Sequence, residues 1–391
     1  MLLGASGGLI AAFVAWLFLI GPWSNADMNA DPATPPSPVL GPFEGEAPIA
    51  HFEAWRARRE RLRDGLQRHI YGPPPASVEA IVADKRAIAP QDAGGVAGVE
   101  QWEIDLGDIG RFHLAVVRPP GDAPAPVILT LNFSGNRAAF PGRPQAIAPP
   151  VDGIQWYCRS AALDPAFRAI FGAHINGPPF EKIRARGYAL ALLYAGDVVP
   201  DLSRRGRATL ARISPPGAGA LMSWAWTASR AVDALSGDAR FDAKRIALFG
   251  QSRQGKTALL AGAMDERIAA IIALQAGRGG DAPREGVAGE PLRHMLRTFP
   301  HWFSPRFAEP APVDAHHLLA LIAPRPLLVG HAKRDEWADP AGAREARAAA
   351  GRVWDLHGAP PPSAFLRAGG HGIHPRDWTE TLNFLDARLG P

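Results

Sequence analysis

The sequence predicts an α/β fold, in which a doubly wound, mostly parallel sheet lies between two layers of helices. Several runs of strand length are almost continuously apolar, which is typical of strands that helices cover on both faces. These runs alternate with longer segments whose apolar residues recur at helical spacing. The chain has 391 residues, 47% of them hydrophobic and 20% charged, so it can bury a large core.

The first 48 residues do not follow that alternation. Residues 1–26 carry no charged side chain, and Leu9–Ile20 is strongly apolar, like the central region of a secretory signal peptide. Ser24-Asn25-Ala26 offers a small-x-small cleavage site, and an uncleaved membrane anchor is the alternative. Residues 27–48 are rich in Pro, Ala and Gly and predict a linker, followed by one folded domain over 49–391. We expect an exported protein, periplasmic or secreted.

The elements of the folded domain follow in order. Residues 51–70 predict an amphipathic helix that ends before the prolines at 73–75, and 99–106 with 111–118 predict a hairpin. Residues 141–178 contain many prolines and predict an insertion on the side of the functional site. The remaining predicted strands are 127–133, 188–194, a run ending at Gly250, 268–274, 327–330 and 364–367; the remaining predicted helices are 217–235, one beginning near Gly255, 316–321 and 378–389.

One serine lies in a very short turn between the strand that ends at Gly250 and the helix that follows. Ser252 has glycines at positions −2 and +3, which is the strand, tight turn and helix of a nucleophile elbow. Glycine is needed at −2 because the strand and helix backbones crowd together there. The first turn of the helix directs backbone N–H groups, including that of Arg253, at the position of a developing oxyanion. An ordinary turn with a capping serine is the alternative.

Two later residues complete the pattern of a catalytic triad. Asp335 follows a late buried strand and His371 follows the last one, so the chain order is serine, acid, histidine, as in α/β-hydrolases. We choose Asp335 over Glu336 and Asp339, because Asp339 precedes a proline and fits a turn or cap. His374 is the alternative to His371.

Composition excludes several other functions. Cys158 is the only cysteine, so neither an intrachain disulfide nor a cysteine metal cluster can form. The net charge is +4, but the sequence contains no cluster of basic residues interleaved with aromatic residues, which argues against nucleic-acid binding. We expect no metal and no cofactor, and a monomer.

Several motifs together resemble carbohydrate esterase family 15, the glucuronoyl esterases and their bacterial relatives described as acetylxylan esterases. The elbow Gly250–Lys256 is similar to the family's G-x-S-R-x-G-K, and Asn132–Asn136 to its N-F-G-G-N loop. The other matching stretches are Gly187-Tyr188, Gly196-Asp197, Pro200-Asp201, Ser223–Trp226, Phe299–Phe303, Ala323–Pro326, Asp335–Pro340, Gly370-His371 and Asp377-Trp378. The resemblance covers residues from about 70 to the C-terminus and implies an α/β-hydrolase fold.

The chain departs from the family at the acid. Many members carry a glutamate after the strand that follows the elbow, where this chain has Gln275, which cannot be a carboxylate. The acid must then come from the later strand, at Asp335. We expect Gln275 to contact substrate instead.

Four further residues are candidates for the site. Gly135 is a second oxyanion donor or part of a plain turn, and Trp302 is a sugar-stacking platform or a buried core residue. The resemblance implies that the Arg253 guanidinium meets the oxyanion and that Lys256 contacts sugar hydroxyls.

The resemblance implies a serine esterase acting on carbohydrate esters, foremost 4-O-methyl-glucuronoyl esters of xylan in lignin–carbohydrate linkages. An acetylxylan esterase or general carboxylesterase is the alternative within enzymes. A catalytically impaired carbohydrate-binding protein is the alternative of another class, prompted by Gln275.

Overall fold

The computed structural model describes residues 39–390, except positions 42, 46, 50, 153, 155 and 287. The strands are β1 (Ile81–Ile88), β2 (Val99–Asp105), β3 (Arg111–Val117), β4 (Ala125–Leu131), β5 (Ala189–Leu193), β6 (Phe241–Gln251), β7 (Ala270–Leu274), β8 (Leu327–Ala332) and β9 (Ser363–Arg367). Within the described residues these nine strands form one sheet in the order β1-β2-β3-β5-β4-β6-β7-β8-β9. Pairing is antiparallel from β1 to β5 and parallel from β5 across to β9. The predicted α/β fold is confirmed.

Helices cover both faces of this sheet. They are α1 (Phe52–Leu66), α2 (Asn136–Ala139), α3 (Trp156–Arg159), α4 (Asp164–Phe171), α5 (Phe180–Ala185), α6 (Ser203–Ile213), α7 (Ala220–Ser236), α8 (Arg253–Met264), α9 (Leu292–Thr298), α10 (Ala315–Ala320), α11 (Pro340–Leu356) and α12 (Pro375–Arg388). Successive residues of β6 point to opposite faces. Ile246 and Leu248 pack in the core that contains α7 and α8, while Phe249 stacks on Trp378 of α12 at 4.5 Å between ring centroids.

Two elements that the sequence did not predict, β1 and α11, lack a strong apolar signal. β1 is an edge strand that pairs only with β2, and most of its residues are solvent-exposed. α11 buries mainly small side chains such as Ala343, Ala346 and Ala350 against the core. Their shallow apolar face has little helical periodicity to detect.

The predicted linker ends earlier than position 48. Val39 and Phe43 are buried in the same core as Trp55 of α1, and the Arg58 guanidinium of α1 lies 5.1 Å from the ring centroid of Phe43. The buried Arg58 on α1 donates to the carbonyls of Gly41 and Ala47, at 3.2 and 3.1 Å. Part of the predicted linker, from residue 39 onward, therefore packs on the folded domain.

The predicted leader or anchor, residues 1–26, lies outside the described residues. Among residues 39–390, with the six gaps given above, no helix is both long enough and apolar enough to cross a membrane.

The insertion at 141–178 is attached directly to the loop that carries His371. Ile373 N–H donates to the Phe171 carbonyl at 2.7 Å, and His174 N–H donates to the Ile373 carbonyl at 3.1 Å. Gly372 has φ +142, and a Cβ there would lie 1.9 Å from the Phe171 oxygen. The insertion therefore lies beside the candidate site, as predicted.

A buried arginine holds the other side of the same loop. Arg367, the last residue of β9, makes two hydrogen bonds to Asp377 of α12, at 2.8 and 2.9 Å. Its remaining N–H groups donate to the carbonyls of Ala368, Gly370 and Gly372. One guanidinium thus joins a strand, a helix and the loop between them.

We expect Arg367→Met to lower the free energy of unfolding by about 3–5 kcal/mol, because it leaves the buried Asp377 carboxylate without its cation. Urea unfolding measures the loss. The matched control is Arg376→Met, which breaks an exposed ion pair with Glu380 on the same helix and costs about 1 kcal/mol or less. Equal losses in the two variants would contradict the structural role of Arg367.

Candidate active site

Ser252 occupies the turn between β6 and α8 in a strained conformation. Its φ is +55° and its ψ is −125°, a region that non-glycine residues rarely adopt. A Cβ on Gly250 would lie 2.0 Å from the Gln254 carbonyl oxygen, so the turn closes only with glycine at that position. Ser252 N–H donates to the Leu274 carbonyl at 2.8 Å, which fixes the turn to β7. The structure thus has the elbow geometry that the sequence predicts.

His371 and Asp335 meet at the carboxyl ends of β9 and β8. His371 Nδ1 lies 2.8 Å from Asp335 Oδ2, while Asp335 Oδ1 accepts the Ala338 N–H at 3.3 Å. Burial raises the pKa of Asp335, but His371 and His331 outweigh burial, so the pKa lies below its usual value. The carboxylate is ionised at neutral pH and oriented toward the imidazole.

The residues considered as alternatives for the acid and the histidine of the triad are exposed or cap helices. Glu336 is exposed, and Asp339 caps α11 by accepting the Gly342 N–H at 2.9 Å. His374 forms a capping box with Asp377 at the start of α12. This geometry favours Asp335 and His371, the residues chosen from the sequence.

The Arg253 side chain is held over the elbow by three neighbours. Its guanidinium forms an ion pair with the buried Asp201, and it lies 5.0 Å from the ring centroid of Phe133 and 5.7 Å from that of Trp302. Burial raises the pKa of Asp201, but Arg253 and His301 bring it below the usual value. A charged, oriented guanidinium beside Ser252 can stabilise an oxyanion.

Gly135 immediately precedes the short helix α2, after β4. Its φ is +81°, and a Cβ would lie 2.5 Å from Pro150 Cγ, so the insertion packs against it. The neighbouring Ser134 hydroxyl lies 2.8 Å from Cys158 Sγ and 3.2 Å from Asn176 Oδ1. The role of Gly135 as an oxyanion donor stays a prediction.

Two buried polar groups lie in the same region: Lys256, whose N–H donates to the Ser252 carbonyl at 3.0 Å, and Glu290, which interacts electrostatically with Lys256 and His371. Lys256 is 4% exposed and its ammonium donates to the Ala276 carbonyl; burial lowers its pKa. Glu290 is 3% exposed, and within the described part of the chain its Oε1 has no hydrogen-bond partner. Burial raises the pKa of Glu290 to about 7, although Lys256, His371 and Arg253 act in the opposite direction. His294 Nε2 lies 3.7 Å from this oxygen, beyond hydrogen-bond distance, so Glu290 Oε1 can still accept a hydrogen bond from a bound hydroxyl group.

Trp302 supports Arg253 and does not form an open platform. The indole is buried, it stacks on Phe299 with 3.8 Å between ring centroids, and its Nε1 donates to Asp201 at 2.8 Å. The structure therefore favours the second of the two interpretations given above, a core tryptophan, because one ring face is already covered.

The contacts of Gln275 favour a structural role over the expected substrate contact. Its side-chain amide is buried and bonded to three protein groups: Gly372 N–H, the Gly372 carbonyl and Gln251 Nε2, at 2.7, 3.1 and 3.1 Å. These bonds use both lone pairs of the amide oxygen and one of the two N–H groups, so at most one N–H of this buried side chain remains for the expected substrate contact.

Sequence reasoning missed Glu290, Gln251 and the role of Asp201. Glu290 and Gln251 carry no signature of their own, and Pro200-Asp201 matches the family without showing what Asp201 does. Their partners lie far along the chain. Trp337 is a further candidate, because it is partly exposed, its carbonyl accepts the Glu290 N–H at 2.9 Å and His294 meets its ring at 5.3 Å. The only signal in the sequence was that Trp337 follows the acid loop.

A strained serine, a histidine and an ionised aspartate at the carboxyl ends of three parallel strands can carry out nucleophilic acyl transfer. The fold and the site together define the class: the protein is an ester hydrolase of the α/β-hydrolase superfamily.

Comparison with known proteins gives the family. A family model for fungal glucuronyl esterases matches residues 213–358. A carbohydrate esterase from an unknown prokaryotic organism is 31% identical over 377 residues, covering 85% of this chain and 84% of that protein. A 4-O-methyl-glucuronoyl methylesterase of Schizophyllum commune is 33% identical, covering 84% of this chain and 75% of the relative. The structure of a glucuronoyl esterase from Solibacter usitatus has a TM-score of 0.76 at 30% identity and covers 91% of this chain and 99% of that one. The chain belongs to the glucuronoyl esterase family, carbohydrate esterase family 15.

Glu290→Gln should stabilise the protein more at pH 8 than at pH 5. The pKa of Glu290 in the folded state, about 7, lies above the ordinary value of 4.5. The contribution of Glu290 to the free energy of unfolding therefore falls as the pH rises from about 4.5 to 7, and it stays at that lower level at higher pH. Thermal unfolding of both proteins between pH 5 and pH 8 measures the difference. A melting-temperature gain that does not depend on pH would contradict the raised pKa.

Asp201→Asn should lower kcat about 10- to 100-fold, because the Arg253 guanidinium loses the carboxylate that orients it. Steady-state kinetics on an ester substrate measures the effect. Asp242→Asn is the matched control, since it removes the partner of Arg245 at a half-exposed site earlier on β6. We expect the control to retain wild-type kcat, and equal losses in the two variants would contradict the positioning role of Asp201.

Proposed function

We propose that the protein hydrolyses esters of 4-O-methyl-glucuronate on xylan, with Ser252, His371 and Asp335 as its triad. The observation that supports this substrate is a pair of buried polar side chains: Lys256, four residues after Ser252 on α8, and Glu290, whose pKa responds to the charges of Lys256, His371 and Arg253. A glucuronoyl ester keeps the sugar on the acyl side, so its ring hydroxyls lie next to the attacked carbonyl. Glu290 and Lys256 are suited to bind those hydroxyls. The similarity to the 4-O-methyl-glucuronoyl methylesterase of Schizophyllum commune supports the same substrate class.

In the proposed mechanism, His371 accepts the proton of Ser252 while the serine oxygen attacks the ester carbonyl. Asp335 holds the Nδ1–H tautomer and stabilises the imidazolium that forms. The oxyanion receives the backbone N–H and guanidinium of Arg253, and the backbone N–H of Gly135 is the proposed second main-chain donor. His371 returns its proton to the leaving alcohol, and a water molecule then hydrolyses the glucuronoyl-serine ester by the same steps in reverse.

The short distance between His371 and Asp335 argues against the impaired binding protein. That alternative depended on Gln275, which removes a carboxylate from one strand end. A carboxylate 2.8 Å from Nδ1 supplies what Gln275 lacks.

We also propose export, since xylan is an extracellular polymer that an enzyme must leave the cell to reach. The apolar stretch Leu9–Ile20 supports this proposal. Cleavage or retention of that stretch as an anchor, and the monomeric state, remain predictions.

Hydrolysis of benzyl glucuronate, compared with p-nitrophenyl acetate, tests the function. We expect wild type to prefer the glucuronate, Ser252→Ala to abolish both activities, and Asp335→Asn to lower kcat by about 10⁴-fold, because the imidazole loses its correct tautomer. Lys256→Met should reduce kcat/KM for the glucuronate much more than for the acetate. Lys244→Met, at an exposed position, is the matched control.

Three outcomes would contradict the proposal. A preference for acetate would favour the acetylxylan or general carboxylesterase. Full activity of Asp335→Asn would mean that another acid serves His371. Equal effects of Lys256→Met on the two substrates would remove Lys256 from the sugar site.

A further inference from the structure

Two glutamine side chains connect the backbone of Gly372 to the imidazole of His371. Gln275 bonds both to Gly372 and to Gln251, and Gln251 Nε2 lies 3.0 Å from His371 Nε2. Both amides are buried, at 1% exposure each. The chain of contacts ends on the nitrogen that receives the Ser252 proton in the mechanism above, so the argument that follows rests on the proposed function.

The orientation of the Gln275 amide is fixed by the backbone. Gly372 N–H is only a donor, so the Gln275 atom 2.7 Å away must be the carbonyl oxygen. The Gly372 carbonyl is only an acceptor, so the Gln275 atom 3.1 Å from it must be the NH₂ group. If the oxygen and NH₂ group of Gln275 were exchanged, the NH₂ group would face the Gly372 N–H, and the oxygen would face the Gly372 carbonyl.

The orientation of Gln251 follows from that of Gln275. Because Gln275 Oε1 is an acceptor, the Gln251 group 3.1 Å from it must be NH₂. The second hydrogen of this NH₂ then faces His371 Nε2, which must be the acceptor and carry a lone pair. The imidazole hydrogen is therefore on Nδ1, where it donates to Asp335 Oδ2 at 2.8 Å.

We infer that Gln251 and Gln275 are positioning residues that fix, from the backbone of Gly372, the tautomer and ring orientation of His371. Gln251 holds the lone pair of the base in the free enzyme. The Ser252 hydroxyl must then share or take over that lone pair when substrate binds. Asp335 and the two amides thus constrain the two ring nitrogens from opposite sides.

The relay explains why an amide occupies position 275. A carboxylate there could accept from Gly372 N–H and from Gln251, but its second oxygen would face the Gly372 carbonyl. Only an amide, or a protonated acid, offers that carbonyl a donor. Gln275 and Asp335 therefore have complementary roles. Asp335, after β8, supplies the carboxylate, and Gln275, after β7, positions the loop that carries His371.

The first test is the histidine tautomer and the kinetics of Gln251→Met, a change of similar size that removes the amide. Long-range ¹H–¹⁵N NMR of wild type, with His371 assigned from a His371→Gln variant, should show a hydrogen on Nδ1 and an acceptor at Nε2. In Gln251→Met we expect the Nε2 resonance to shift and kcat to fall about tenfold with KM unchanged. An unchanged Nε2 resonance together with unchanged kcat would overturn the inference.

Gln101→Met is the matched control, because Gln101 is also buried and lies on β2, four strands from β6. Its amide donates to the carbonyls of Trp102 and Leu114 and accepts the Ala148 N–H, and within the described residues it has no contact with His371. We expect it to lower stability without changing kcat or the His371 spectrum. An equal loss of kcat in the control would assign the Gln251 effect to general destabilisation and overturn the inference.

The second test is Gln275→Glu, which changes one group and keeps the size. We expect kcat relative to wild type to fall as pH rises, because the ionised carboxylate repels the Gly372 carbonyl whereas the protonated acid can donate to it. The double variant Asp335→Asn/Gln275→Glu should recover no activity over Asp335→Asn alone. A ratio that does not change with pH, or recovery in the double variant, would overturn the inference.

The inference and the proposed function can fail separately. If wild type hydrolyses no ester, the proposed function fails, while the tautomer of His371 in wild type still decides whether the relay exists. If Gln275→Glu does not fold, the wild-type NMR spectrum of His371 still shows whether the relay exists.

Discussion

The close approach of the β6 and α8 backbones at the elbow is the constraint on which the site depends. At Gly250 even one methyl group would meet the Gln254 carbonyl at 2.0 Å, and at Gly255 it would meet the Leu274 carbonyl at 3.0 Å. This crowding leaves Ser252 at φ +55°, a conformation that costs on the order of 1–3 kcal/mol. The buried strands on both sides of β6 hold it there. Every other candidate residue is useful only relative to the position of that hydroxyl.

The same sheet explains how the acid can come from a different strand than in many relatives. β7 and β8 are parallel neighbours, and Gln275 N–H donates to the Gly330 carbonyl of β8 at 2.7 Å. The loops that follow these two strands therefore reach the same histidine from adjacent positions. With the carboxylate at Asp335, the other position is free to hold the backbone of the histidine loop. The imidazole orientation is then shared between a charge and a pair of amides.

Much of the fold and the triad could be predicted from sequence, because each depends on local patterns. Ser252 lies in a turn that requires nearby glycines, and Asp335 and His371 each follow a recognisable strand. Glu290 and Gln251 carry no such signal, since their importance comes from contacts made across the fold: Gln251 and His371 are 120 positions apart. The sequence around Trp302 is compatible with both a sugar-stacking platform and a core residue. Only the burial of the indole and its hydrogen bond to Asp201 distinguish these two interpretations.

The buried polar groups beside Ser252 also bear on specificity. Burial shifts the pKa of Lys256 down and that of Glu290 up, which means that both groups lose hydration in the free enzyme without full compensation. An acyl group with hydroxyls at the right positions can restore the missing hydrogen bonds, whereas an acetyl group leaves them unmade. Sites built in this way reject the analogue that lacks the hydroxyl more strongly than an apolar pocket rejects an extra methylene, because the penalty lies in the unpaired groups of the protein. Under the proposed function, selectivity for a sugar acyl group therefore depends on Lys256 and Glu290.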